Sequence, residues 1–430
     1  MVAERVALGD EWRVKPITVE VDRAPVQRVA LITEAFLPKV DGVSKLTTLT
    51  ARHHLNMGRQ VLIYAPGLTI GNLRTPSYLD GARVVPVPSL HPPLVPPESR
   101  FGFPYLRLGE LWRFRPDLIH LFSPAALAWT GVHYTRYHSV PLVANYQTDL
   151  PGYTHRYGIG GLEGLAWAYV RHLHNKATLT LVPTQHNLRE LRERGFRRLR
   201  LWQRGADTAC FSPAHRSAEM RQRLLGGRPA DSLLVLYVGR LAREKRVDLL
   251  REVADLPGVA LAIVGDGPLR GELERMYAGR ATFTGYLTGT DLSAAYASAD
   301  VFGFTGPNEV AGQVVIEAMA SGLPVLLPNS GGIVDYVTHG INGYLCALNS
   351  AEYARYVRLL RDYSDRRRAM AREARAFAGK LSWEDTMISL EHLYIEALQS
   401  ASSMSGIRSR LRRTVRSAGG ALTTRFGRTE

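Results

Sequence analysis

The sequence predicts an α/β protein built as two successive halves, each a parallel sheet with helices packed on it. Three observations carry that expectation. Short apolar runs of strand length alternate with helical stretches along the chain, which is how parallel sheets covered on both faces read. The alternation lapses over residues 211–231, where Pro213, Gly226, Gly227 and Pro229 fall, and then restarts. In the second half, Ser232-Leu-Leu-Val-Leu-Tyr-Val-Gly239 and Val259-Ala-Leu-Ala-Ile-Val-Gly265 both close on glycine.

Taken in order, the first strand is Arg28-Val-Ala-Leu-Ile-Thr33, followed by the loop Phe36-Leu-Pro-Lys-Val-Asp-Gly42 and a helical stretch. Gln60-Val-Leu-Ile-Tyr-Ala65, Arg83-Val-Val-Pro-Val87, Asp117-Leu-Ile-His-Leu121, Pro141-Leu-Val-Ala-Asn145 and Leu179-Thr-Leu-Val182 follow as strands. The four prolines between His91 and Pro97 mark a surface loop. In the second half, Ala281-Thr-Phe-Thr284, Val301-Phe-Gly-Phe304 and Pro324-Val-Leu-Leu327 extend the sheet. Ser382-Trp383-Glu-Asp385 starts a late helix, with Ser382 as its cap. The chain therefore divides into a poorly ordered extension 1–27, a first half 28–210, a linker 211–231, a second half 232–381, a helix 382–400 and a basic tail 401–430. Two open sheets of this kind bind ligands at the carboxyl ends of their strands, so a cleft between the halves is expected.

Composition narrows the function. At 430 residues, 45% apolar and 22% charged, the chain reads as a soluble globular protein of two or three domains. No apolar run approaches the roughly 20 residues that span a bilayer. Residues 1–27 carry Glu4, Asp10, Glu11, Glu20 and Asp22 without an apolar stretch, so no signal peptide is expected. Cys210 and Cys346 are too few for a disulfide framework or a zinc site, which suits a reducing cytoplasm. The formal charge of +15 favours a polyanionic partner: nucleic acid, anionic lipid or a phosphorylated substrate. Nothing resembling a helix-turn-helix, zinc or aromatic-basic signature supports nucleic acid. The last thirty residues hold Arg408, Arg410, Arg412, Arg413, Arg416, Arg425 and Arg428. With Ile407, Leu411, Val415, Ala418, Leu422 and Phe426 on one helical face, the tail has the profile of a basic interfacial helix. The competing reading is a disordered cationic tail, because Ser, Gly and Arg dominate it.

The chemistry concentrates in the second half. Glu309-Val-Ala-Gly-Gln-Val-Val-Ile-Glu317 brackets a glycine and a helix start with two carboxylates. Along a helix these stand about 12 Å apart, wider than the roughly 5 to 9.5 Å of glycoside-hydrolysing pairs. They suit the two ends of one long ligand, with the helix N-terminus between them facing an anion. A nucleotide sugar has that layout, with hydroxyls at each end and a diphosphate in the middle. The plainer reading is a buried amphipathic helix with an acidic entry. Gly239-Arg240-Leu-Ala-Arg-Glu-Lys245 offers a guanidinium fork and a point charge for a diphosphate; its plainer reading is a solvated basic helix start. Gly265-Asp-Gly-Pro268 and Phe283-Thr-Gly285 are further loops at strand ends, and no Gly-Lys-Ser/Thr phosphate loop is present.

These motifs, together with Gly331-Gly-Ile, resemble family 4 of the retaining glycosyltransferases, and the similarity runs from about Arg28 to Gln399. The resemblance implies the GT-B architecture: two Rossmann-like domains facing across a cleft, the first for the acceptor and the second for the nucleotide sugar. It also implies that the helix 382–400 crosses back onto the first domain, with Trp383 as an anchor. Leu199-Arg-Leu-Trp-Gln-Arg-Gly-Ala-Asp207, Phe211-Ser-Pro and Arg216-Ser-Ala-Glu-Met-Arg221 are similar to the sulfoquinovosyl-diacylglycerol synthases. Tyr146-Gln-Thr-Asp-Leu-Pro-Gly-Tyr153 and Val40-Asp-Gly-Val43 are similar to the GDP-mannose-dependent mannosyltransferases that build glycolipids.

By resemblance, Arg240 and Lys245 bind the donor diphosphate and, with Glu309, form the catalytic set. Glu309 holds hydroxyls of the transferred sugar, backbone groups of Ala311, Gly312 and Gln313 support sugar and phosphate, and Glu317 binds the ribose. Gly42, Gly239 and Gly285 complete the donor site. Tyr146, Gln147 and Asp149 belong to the acceptor and sugar site, Gln147-Thr-Asp149 standing where many members have His-Thr-His. The plainer reading of Asp149 is a cap on the turn before Pro151. The donor is a UDP- or GDP-sugar and no cofactor or metal is expected. The acceptor is a membrane lipid, diacylglycerol or a glycolipid, reached from the inner, cytoplasmic face. Retention is implied to proceed with the leaving phosphate taking the acceptor proton. The alternatives are a nucleotide-sugar epimerase or other sugar-phosphate enzyme on the same fold, since fold does not fix function. His53 and His54 read as surface or packing residues without a partner at metal spacing.

Overall fold

A computed structural model describes residues 26–402 apart from 40, 92–99, 124, 150 and 153–159. The expectations for residues 1–25 and for the tail beyond 402 lie outside the described residues, as does most of the proline loop after His91. The chain divides into two compact units. An N-terminal unit takes 26–145, 170–181 and 390–402 of the described residues; a C-terminal unit takes 146–169 and 182–389.

In the N-terminal unit the strands are β1 (Arg28–Ile32), β2 (Gln60–Pro66), β3 (Tyr78–Leu79), β4 (Ala82–Val87), β5 (Leu118–Leu121), β6 (Leu142–Asn145) and β7 (Leu179–Val182). They lie in the order β7-β6-β5-β1-β2-β4-β3. All pair in parallel except β3, which returns antiparallel on β4. Helix α1 (Gly42–Asn56) begins where Asp41 accepts from the Val43 and Ser44 amides while the Ser44 hydroxyl accepts from the Asp41 amide. That reciprocal cap fixes the helix start, and Gly42 is its first residue.

The C-terminal unit repeats the plan with β8 (Leu233–Val238), β9 (Val259–Val264), β10 (Ala281–Gly285), β11 (Val301–Gly303), β12 (Val325–Pro328) and β13 (Gly343–Cys346). Their order is β10-β9-β8-β11-β12-β13, all parallel. Every residue of β8 and β9 is buried, which explains why both read as unbroken apolar runs rather than alternating ones. In both units the parallel strands follow the doubly wound order in which the first strand lies beside the second on one side and the fourth on the other.

Two sequence expectations need correction. The stretch 211–231 is not an open linker. It carries α2 (Ala218–Leu225), capped by the Ser217 hydroxyl and ended by Gly226 in the left-handed region, with Met220, Leu224 and Leu225 buried in the core. The glycines and prolines that suggested a linker mark helix ends instead. For His53 and His54 the packing reading holds and the surface one does not, and the expected lack of a partner at metal spacing fails, since ligand atoms of His53, His54 and Glu391 all lie within 4.8 Å of one another. Both are buried, and His53 Nε2 lies 2.8 Å from a carboxylate oxygen of Glu391, far along the sequence. Arg59 makes two hydrogen bonds to the same carboxylate and a third to His54 Nδ1 at 2.9 Å. Glu391 sits on α3, the helix of residues 383–402, which falls with the C-terminal unit up to Ser389 and with the N-terminal unit from Leu390 on. At its start the Ser382 hydroxyl accepts from the Asp385 amide, and buried Trp383 lies directly beside Gly205.

Candidate donor site

The loops at the carboxyl ends of β8, β9 and β10 are drawn together by backbone contacts. The Gly239 amide donates to the Val264 carbonyl at 3.0 Å, and the Gly265 amide to the Gly285 carbonyl at 2.9 Å. At Gly265, φ is +132° and a Cβ would run into the Gly239 carbonyl, so the approach requires glycine. Arg240 emerges next, half-buried, with its carbonyl accepting from the Tyr237 hydroxyl at 3.3 Å. Lys245 closes a 3-10 turn, Arg243–Lys245, rather than opening an α-helix. The Thr305 hydroxyl donates to the Lys245 carbonyl at 2.7 Å.

The second wall is the loop after β11. Lys245 Nζ donates to Glu309 Oε2 at 2.5 Å, both side chains about a quarter exposed, and the ammonium lies 5.3 Å from the Phe304 ring centroid. The Glu309 carbonyl accepts from the Gly332 amide at 2.8 Å. The other carboxylate oxygen, Oε1, accepts from the Gly312 amide at 3.4 Å. Gly312 has φ +55° and stands immediately before the helix Gln313–Ala320, where a Cβ would strike Ile333. The Tyr336 hydroxyl donates to the Ala311 carbonyl at 2.7 Å, and Gln313 Nε2 to the Gly205 carbonyl at 2.9 Å. Glu309 thus stands on the loop and Glu317 in the second turn. Glu317 is 4% exposed and accepts from the Tyr296 hydroxyl at 3.4 Å. Burial and the adjacent carboxylate hold that phenol well above its usual pKa.

A carboxylate, an ammonium and the free amides of a helix start, set at the carboxyl edge of a doubly wound sheet, suit a substrate with hydroxyls and phosphates. Comparison with known proteins decides the class. Residues 222–377 match the family described as Glycosyl transferases group 1, and residues 40–209 match Glycosyltransferase Family 4. A GDP-mannose-dependent alpha-mannosyltransferase of Mycobacterium tuberculosis is 41% identical over 76% of this chain and 85% of its own. The chain belongs to glycosyltransferase family 4. It is a glycosyltransferase that uses a nucleotide sugar. The sulfoquinovosyl transferase SQD2 of Arabidopsis thaliana is 40% identical over 65% of this chain and 55% of its own length. Sucrose-phosphate synthase from Thermosynechococcus elongatus, at 20% identity, superposes with a TM-score of 0.70 over 87% of this chain and 100% of its own. The fold is GT-B, two Rossmann-like domains in one chain.

In this glycosyltransferase the Gln-Thr-Asp segment falls with the C-terminal unit. Tyr146 is 2% exposed and set edge-on to Phe196, so its ring is core and only its backbone is left for a ligand. Asp149 accepts from the Gly152 amide at 2.9 Å, the capping contact of the plainer reading. Gln147 Oε1 accepts from Arg204 Nη2 at 2.7 Å. Gly42 belongs to the N-terminal unit, where it is the first residue of α1. Sequence reasoning missed Arg204. Its guanidinium is buried, which lowers its pKa to about 10, while Tyr336 and Glu309 pull the other way. The only signal was the Gly205 that follows, kept free of a side chain by the backbone of Trp383.

Proposed function

We propose that the enzyme transfers a hexosyl group, with retention and without a metal ion, from a UDP- or GDP-sugar to a membrane lipid. The observation that carries this reading is the Lys245–Glu309 contact at 2.5 Å in front of the helix start at Gly312. A substrate diphosphate replaces Glu309 as the partner of Lys245, and the released carboxylate then accepts from sugar hydroxyls. Arg240 and Lys245 together supply the positive charge that a divalent ion supplies in other transferases. In the step itself the bond from the anomeric carbon to the diphosphate oxygen breaks. The acceptor hydroxyl oxygen bonds to the anomeric carbon on the same face, and its proton passes to the departing phosphate. The lipid acceptor is supported by the sequence likeness to glycolipid-building mannosyltransferases and to sulfoquinovosyl-diacylglycerol synthases.

The test offers the purified protein radiolabelled UDP- and GDP-hexoses with a lipid extract, in excess chelator. Label should move into the organic phase, and the product should keep the donor's anomeric configuration. Transfer that stops with chelator and returns with magnesium or manganese would overturn the metal-free step, and label found only in water-soluble product would overturn the lipid acceptor.

A further inference from the structure

Gln147 carries a hydrogen-bond donor with nothing to donate to. Its Nε2 is buried and has no partner among the described residues, although a stranded amide donor costs about 1–3 kcal/mol. The same amide's oxygen is held by Arg204 Nη2 at 2.7 Å. A guanidinium has donors and no acceptor, so the amide can meet Arg204 only through its oxygen, and Nε2 must face away. Arg204 is itself 6% exposed, and no carboxylate lies within ion-pairing distance of it among the described residues. Its charge is felt instead by Glu309, on the loop that frames the donor site, and by Tyr336, whose hydroxyl donates to the Ala311 carbonyl of that loop. A buried cation is seldom left without an ionic partner, and here the charge borders a site meant for an oxygen-rich anion.

We infer that Arg204 is a positioning residue for glycosyl transfer: it fixes the side-chain amide of Gln147 so that Nε2 donates to an oxygen of the nucleotide sugar. The inference rests on the nucleotide-sugar reading. The ligand group is a hydrogen-bond acceptor, either a hydroxyl of the transferred sugar or an oxygen of the diphosphate. A histidine in place of Gln147 would donate and titrate; this pair donates throughout the neutral range, because neither partner changes charge there.

Gln147→Glu separates this role from a structural one. It keeps the oxygen that Arg204 grips and turns the contact into an ion pair, so melting temperature should hold or rise, yet it removes the donor. Arg204→Met releases the amide, and Arg204→Lys keeps a donor to it. Titration calorimetry on the full chain compares GDP-mannose with GDP, and UDP-glucose with UDP, for each variant. Gln147→Glu and Arg204→Met should bind the wild type's preferred nucleotide sugar about tenfold more weakly, with Arg204→Lys recovering most of the loss. If the partner oxygen is on the sugar, the nucleoside diphosphate alone binds as before; if it is on the diphosphate, both ligands weaken together. Nucleotide-sugar affinity left unchanged in Gln147→Glu and Arg204→Met, whatever their melting temperatures, would overturn the inference alone. A wild-type chain that binds neither nucleotide sugar would overturn the donor reading and the inference with it.

Discussion

Glu309 and Glu317 are both carboxylates of one short segment, yet their surroundings give them different work. Glu309 is a quarter exposed and already exchanges hydrogen bonds with Lys245 and the Gly312 amide. Glu309→Gln keeps that shape but loses the charge, so transfer should collapse while nucleoside diphosphate affinity stays near wild type. Glu317→Ala should instead weaken nucleotide binding by about 1.5–3 kcal/mol, the worth of a hydrogen bond to a charged group. It should also lower the melting temperature, because the buried Tyr296 hydroxyl loses its acceptor. Calorimetry and a thermal melt on each variant check both; equal nucleotide affinity in the two variants, with full transfer, would refute the division of roles. Their placement was legible because Glu309 lies on the loop between a glycine-ended strand and the helix at Gly312, and Glu317 follows in that helix, so the pattern is local. Arg204 was not, since its partner Gln147 lies 57 positions away and only the fold brings the two into contact.

At the scale of elements, helix 383–402 is locked to the N-terminal unit by a chain of buried donors. Arg59 donates to His54 Nδ1 at 2.9 Å, and His54 Nε2 meets the Tyr394 hydroxyl at 3.3 Å. That hydroxyl meets His120 Nδ1 at 2.7 Å, and His120 Nε2 meets Asn145 Oδ1 at 2.9 Å. With Arg59 as donor and Asn145 Oδ1 as acceptor at the ends, every link runs one way and both imidazoles are single neutral tautomers. Burial lowers His120 to about 4 and His174 to about 3, and holds His54 well below its usual value. The unfolded chain therefore binds more protons between about pH 6.5 and 4, and stability must fall as pH drops through that window. For His120 alone the loss approaches about 3 kcal/mol. Glu34, whose carboxyl pKa is raised by burial to about 7, acts in the opposite sense. The three histidines outweigh it, so urea midpoints measured from pH 8 to 4 should decline below pH 6.5, and a profile that does not decline there would contradict the neutral chain. His120→Phe should flatten part of the slope yet unfold more easily, leaving the Tyr394 O–H without its acceptor and Asn145 Oδ1 without its donor, at about 1–3 kcal/mol each. No local pattern announces such a chain. The alternation of apolar runs located the parallel strands from β1 to β12 within a residue or two, because buried parallel strands must be apolar throughout, and missed the two-residue antiparallel β3. Strand Gly343–Cys346 escaped notice because four residues opening on glycine carry too little signal, and α2 escaped because its caps were taken for a linker.

For the molecule as a whole, a charge of +15 and the proposed lipid acceptor raise the question of how the enzyme would meet a membrane. Among the described residues no helix is long and apolar enough to cross a membrane; the attachment proposed is a peripheral one, through the basic tail. The segment suited to it lies beyond residue 402, outside the described structure. Drawn as a helix, residues from Ile407 to Phe426 would place an apolar stripe over about 100° of the wheel, with Arg410, Arg412, Arg413, Arg416 and Arg428 projecting elsewhere. Arg408 and Arg425 would encroach on the stripe, and each arginine is worth about 1 kcal/mol near an anionic surface. Gly419 and Gly420 would weaken or bend such a helix in water, so the proposal is that it folds at the lipid surface. A chain ending at Ser400 should melt as the full chain does, since the buried contacts of Glu391 and Tyr394 are retained. It should lose co-sedimentation with anionic vesicles, most of all at low salt, where screening is weakest. Full-length protein should gain helical circular dichroism when such vesicles are added, and neutral vesicles should produce neither effect. Binding without that gain would mean the tail attaches as an unfolded cationic strand, and a shortened chain that co-sediments as well as the full one would show that the membrane is held elsewhere.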